Sequence, residues 1–121
     1  MALSTLKKRA EFLRVRSGRR WSGQGFVLEA RARAGDPNGP AGARFGFTVS
    51  KKIGNAVVRN RVRRRLRALA AALDPSQVRQ GYDYVLIARP GAVDRAYGDL
   101  KADLEQALAR IHQPPPAKGR N

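Results

Sequence analysis

Lys51-Lys52-Ile53-Gly54-Asn55-Ala56-Val57-Val58-Arg59-Asn60-Arg61-Val62-Arg63-Arg64-Arg65-Leu66-Arg67 is the stretch whose reading decides the fold. It follows a β-like run, Arg44 to Ser50, and opens a helical pattern that continues to about Leu73. Gly54-Asn55 supplies the residue types of a turn and an N-cap. At about 100° per residue, Val58, Val62, Leu66, Leu69 and Leu73 fall within a stripe of roughly 80°. Arg59, Asn60, Arg63, Arg64 and Arg67 project from the opposite side. Arg61 and Arg65 lie on the flank, where an arginine stem can follow apolar surface while its head reaches elsewhere. The result is an apolar keel beneath a cationic deck. No Asp or Glu interrupts residues 57–72. Like charges therefore repel along this helix, and a polyanion is the partner that offsets the repulsion.

Composition points the same way. Across 121 residues, 25 Lys and Arg face 9 Asp and Glu, a net charge of +16. That is far more charge than solubility needs. Arginine dominates, and its planar fork suits phosphate and nucleobases. The length fits one domain. With no cysteine, disulfides, thiol catalysis and cysteine-bound zinc are excluded. No apolar run is long enough for a membrane span and no signal peptide is evident, so a cytoplasmic protein is expected.

Outward from the arginine helix, Ser4 to Arg16 predicts a first helix with Leu3, Leu6, Ala10 and Leu13 toward the core. Phe12 projects beside Arg9 and Arg16. A helical phenylalanine is ordinarily core, but these neighbours fit an aromatic platform at a basic groove equally well. Arg19-Arg20-Trp21 suggests a short strand. Residues 25–33 alternate, with Phe26, Leu28, Ala30 and Ala32 on one face and Val27, Glu29, Arg31 and Arg33 on the other. A turn-rich loop at 34–43 leads to Arg44–Ser50, with Phe45, Phe47 and Val49 on one face. These two strands are expected to pair antiparallel.

Beyond the arginine helix, Asp74-Pro75 is a stop signal. Tyr82–Arg89 has a continuous apolar centre, as a central strand would. Asp94–Arg110 predicts a last helix with Tyr97, Leu100, Leu104, Leu108 and Ile111 buried. The order is α-β-β-β-α-β-α. It implies an α+β sandwich, a single mixed four-stranded sheet with three helices, in which the strands flanking the arginine helix run parallel as a β-α-β unit. Residues 1–111 form one domain, and 112–121 a disordered, basic, proline-rich tail.

No catalytic constellation is present. The single histidine, His112, borders the tail, and the acidic residues are scattered without a paired arrangement for metal-assisted hydrolysis. An enzyme acting alone is disfavoured, and RNA binding accounts for what remains.

Phe47-Thr48-Val49-Ser50-Lys51-Lys52-Ile53-Gly54-Asn55-Ala56-Val57-Val58-Arg59-Asn60-Arg61-Val62-Arg63-Arg64 resembles the signature of the bacterial ribonuclease P protein component, whose hallmark is an Arg-Asn-Arg run in this context. The likeness extends to Leu6–Phe12 and to Tyr84–Pro90. It implies a subunit of an endoribonuclease whose RNA performs catalysis. The protein would bind that RNA and the 5′ leader of precursor tRNA, assisting leader removal, with magnesium required by the ribonucleoprotein and no cofactor on the protein.

By this resemblance, Lys51, Lys52, Asn55, Arg59, Asn60, Arg61, Arg63, Arg64 and Arg67 meet the catalytic RNA. Arg9, Phe12, Arg16, Phe47 and Arg89 meet the leader. Arg16 and Glu29 stand where some members carry aromatics, which shifts leader contact toward charge. The resemblance also implies a left-handed β-α-β crossover, against the usual rule. No membrane partner and no protein oligomer are expected. Composition alone also fits a ribosomal or ribosome-assembly protein.

Overall fold

The computed structural model describes residues 3–33 and 42–113. Eight elements follow in chain order: β1 (Ser4–Thr5), α1 (Arg9–Val15), β2 (Arg19–Ser22), β3 (Phe26–Ala32), β4 (Arg44–Thr48), α2 (Ala56–Ala71), β5 (Tyr82–Ala88) and α3 (Tyr97–Ile111). The strands form one mixed sheet of order β1-β4-β5-β3-β2. β4 and β5 are parallel neighbours joined through α2.

Two expectations about the sheet are corrected. It has five strands, not four, among the described residues. Ser4 and Thr5 do not begin the first helix. They pair in parallel with Arg44 and Phe45, and the Leu6 amide donates to the Phe45 carbonyl at 2.8 Å. This satisfies backbone groups that an open β4 edge would leave unpaired. Nor do β3 and β4 pair. β5, the most apolar strand, lies between them, antiparallel to β3 and parallel to β4. A strand buried on both faces belongs in the middle of the sheet.

The late start of α1 also changes its buried face. Glu11 Oε1 accepts from the amides of Lys7 and Lys8 at 2.9 and 2.8 Å, which sets the helix start at Arg9. Hydrogen bonds from Lys8 and then Lys7 hold the Glu11 carboxyl below its ordinary range. Leu6, before the helix, stays buried, but Ala10 and Leu13 are exposed and Val15 is fully enclosed.

The sheet has one helical layer on each face. Phe26, Leu28, Phe45, Tyr84 and Leu86 point into the main core, against Val62, Leu66, Leu69 and Leu73 from α2 and its end and Leu100, Leu104 and Leu108 of α3. The keel of α2 is therefore buried as projected, with Val58 at its half-buried margin. Tyr97 departs from the α3 stripe and is exposed. On the opposite face a smaller cluster joins Leu6, Val15 and Val85, with Phe12 and Ile87 against it.

The loop expected at 34–43 lies outside the described residues except for its last two. The expected tail, 112–121, lies outside them except for His112 and Gln113, which close α3.

Candidate RNA interface

α2 is aimed by the turn that precedes it. Lys51–Ile53 form one 3₁₀ turn, and Gly54 follows at φ +153°, a conformation L-residues avoid. Asn55 Oδ1 then accepts from the Val58 amide at 3.0 Å and caps the helix. Lys51, Lys52, Asn60, Arg61, Arg64 and Arg67 are exposed, and Arg59 and Arg63 are half-buried. Val57, Asn60, Arg63, Arg64 and Arg67 line a shallow groove of about 630 Å³. The only internal hydrogen bond from these cationic side chains among the described residues is Arg63 Nη1 to Asn60 Oδ1, at 3.2 Å. Arg59 Nε is buried without a partner there.

The arginines elsewhere contrast with this set. Arg65 turns away from the deck. Its Nη1 donates to the carbonyls of Ala92 and Val93 at 2.8 and 3.2 Å, and its Nη2 to that of Arg95 at 2.6 Å. Arg19 Nη1 donates to the Ile111 carbonyl at 2.9 Å and also to that of Gln113, while Arg79 reaches the His112 carbonyl at 3.1 Å. Together they neutralise the negative end of α3. Arg95 pairs with Asp103 at 2.7 Å. Arg14, Arg33 and Arg44 all engage Asp83, which is fully buried. Burial pushes the Asp83 carboxyl up, but hydrogen bonds from Arg44, Arg33 and Arg14 outweigh it and hold it below its ordinary range.

The second set of predicted residues is divided by the sheet. α1 lies across β3 and β5. Glu11–Arg44 and Arg14–Asp83 contacts fix it at the end where β4 and β5 begin. Thr48 and Ile87, further along those strands on the same face, are exposed and half-buried. Phe12 is half-buried over Gly46, flanked on its side of α1 by exposed Arg9 and Arg16.

Phe47 does not join them. Strand alternation puts Gly46 and Thr48 on the α1 face but Phe45 and Phe47 on the α2 face. Phe47 packs against the main core, its ring 6.4 Å from that of Phe45. Arg89 lies at the far end of β5, where Nη1 donates to the Gly23 carbonyl at 3.0 Å. It holds the β2–β3 turn. Glu29, on the strand face shared with Val27 and Arg31, is 4% exposed, with Arg20 Nη1 3.8 Å away.

A family model described as Ribonuclease P matches residues 2–112. The chain belongs to the ribonuclease P protein family. The chain is 44% identical over 115 residues to the ribonuclease P protein component of Ruegeria pomeroyi, covering 94% of this chain and 90% of that one. It is 47% identical over 110 residues to that of Paramagnetospirillum magneticum, covering 90% and 83%. The solved ribonuclease P protein of Staphylococcus aureus superposes with a TM-score of 0.72 at 29% identity, covering 93% of this chain and all of that one. The three helices and mixed sheet are thus the fold of ribonuclease P proteins. Ribonuclease P is an endoribonuclease whose catalyst is RNA, and the relatives give no support to the ribosomal alternative.

Sequence reading passed over the Asp83 network and the seat beneath Phe12. Asp83 left a signal, since it is one carboxylate within a strand otherwise apolar from Tyr84 to Ala88. Gly46 left a fainter one, a glycine between two phenylalanines.

Proposed function

We propose that this chain is the protein subunit of a ribonuclease P, binding the catalytic RNA along α2 and the 5′ leader of precursor tRNA beside α1. The observation that carries this reading is the division of its arginines. Arg14, Arg19, Arg44 and Arg95, all outside the 51–67 stretch, are engaged by carboxylates or carbonyls of the protein. Lys51, Lys52, Arg61, Arg64 and Arg67 stand exposed. A row of cations without internal partners among the described residues is an electrostatic footprint for a phosphate backbone.

Arg59, Asn60, Arg63 and the neighbouring exposed cations of α2 position the catalytic RNA. Asn55 serves it indirectly, by starting the helix. Phe12 offers an aromatic edge to an unstacked leader base, with Arg9 and Arg16 placed for phosphates. Phe47 is left out of this site, and Arg89 shapes its far rim. Magnesium belongs to the RNA. Among the described residues no three His, Asp or Glu side chains converge, and buried Asp83 is taken by arginines. We assign the chain to the cytoplasm, with its RNA substrate. No described helix is long and apolar enough to cross a membrane.

The decisive test mixes the chain with ribonuclease P RNA and a precursor tRNA at low magnesium. Stimulated cleavage at the mature 5′ end is expected, with none from the protein alone. Absence of stimulation would overturn the reading.

A further inference from the structure

Gly46 is buried in β4, the strand that lies between β1 and β5. Glycine weakens a strand interior, so its presence calls for a local reason. Backbone conformation does not provide one, because the glycines with positive φ among the described residues are Gly54 and Gly81. Space does. A Cβ at position 46 would lie 2.5 and 2.7 Å from Cε2 and Cζ of Phe12, and 3.1 Å from Cδ1 of Leu6. The tip of the Phe12 ring occupies the volume that any side chain would fill.

We infer that Gly46 is a positioning residue for leader recognition: its bare Cα is the seat that fixes the Phe12 ring against the sheet. The inference rests on the reading that Phe12 receives a leader base. Two other contacts hold the same geometry. Glu11 and Arg14, on either side of Phe12, bind Arg44 and Asp83 at 2.9 Å each, and these precede Gly46 and Val85 by two residues on paired strands. The helix is thereby clamped while the ring tip lies at the free end of a side chain. A methyl at position 46 would displace the ring, leaving the clamp in place and the domain folded.

The test is a cycle of Gly46→Ala and Phe12→Ala in the reconstituted holoenzyme, measuring the affinity of precursor tRNA with a long and with a single-nucleotide leader. Gly46→Ala is expected to weaken long-leader binding about tenfold, change short-leader binding less than twofold, and add nothing in the Phe12→Ala background. Methyl NMR of Leu6 and Ile87, which report ring position, should shift in Gly46→Ala. If Phe12→Ala weakens leader binding and Gly46→Ala does not, or if the two effects add, the positioning role is wrong. If Phe12→Ala is itself without effect, the leader reading fails first, and the role assigned to Gly46 falls with it.

Discussion

Arg44 grips Asp83 at two points, Nε to Oδ1 and Nη2 to Oδ2, both at 2.9 Å. Arg33 and Arg14 complete the shell at 2.5 and 2.9 Å. One enclosed carboxylate thus ties the starts of β4 and β5, the chain after β3, and α1. Asp83→Asn leaves three guanidinium groups around a neutral amide, so it should destabilise the fold by about 3–5 kcal/mol. Urea unfolding checks this. The pH sign follows from the lowered carboxyl pKa. The contribution is full above the ordinary aspartate range near 3.8 and is lost as pH falls through it toward the folded value. Asp83→Asn should flatten that acid limb.

Arg65 and Arg61 are four residues apart and chemically identical, yet they should fail differently. Arg65 holds three carbonyls of the segment before α3, so Arg65→Ala should cost roughly 1–3 kcal/mol of stability and leave the salt dependence of RNA binding unchanged. Exposed Arg61 should show the reverse. Its loss should leave melting unaltered and reduce the slope of log affinity against log salt by about one. An unchanged slope in Arg61→Ala would remove that residue from the interface.

Much of this was legible in the chain, for identifiable reasons. The keel of α2 could be projected because one periodicity runs from Val58 to Leu73 without interruption. The central place of β5 could be read because Tyr84–Ala88 has no solvent-facing alternation. What could not be read depended on partners distant in sequence. Ser4-Thr5 carries no strand signal of its own and becomes a strand only because β4 offers a free edge. Insertion of β5 between β3 and β4 is decided by tertiary packing. Phe47 was misplaced because its alternation with Phe45 was visible but the functional face of the sheet was not. Arg61 and Arg65 share a flank, and only the carbonyls at 92–95 separate them.

His112 borders the expected tail, and its Nε2 lies 2.6 Å from the Tyr84 hydroxyl. That oxygen also accepts from the Arg79 amide at 2.9 Å, so the imidazole, the phenol and the chain before β5 are joined in one hydrogen-bonded set. Burial, with Arg79 and Arg19 nearby, lowers the His112 pKa, and burial pushes the Tyr84 hydroxyl up to about 12. A depressed histidine pKa stabilises the fold fully above the ordinary value near 6.5 and progressively less as pH falls below it. Melting temperature should therefore drop between pH 7 and 5, and His112→Ala should remove that dependence while costing about 1–3 kcal/mol at neutral pH.

The deck of α2 gives the last prediction. Arg59–Arg63 and Arg63–Arg67 are like-charge pairs at i,i+4, each costing about 0.2–0.5 kcal/mol in the free protein, and no acidic side chain in the helix relieves them. A polyvalent anion that binds only the folded deck adds stability by mass action, about 2.7 kcal/mol at a hundred times its Kd. Sulfate or phosphate should therefore raise the melting temperature well beyond sodium chloride at matched ionic strength, since screening alone acts equally in both. Arg63→Gln with Arg64→Gln should melt no lower than the parent in dilute buffer, because repulsion is relieved, and should gain less from sulfate. Equal gains in sulfate and chloride would mean that the deck only screens anions and does not bind them.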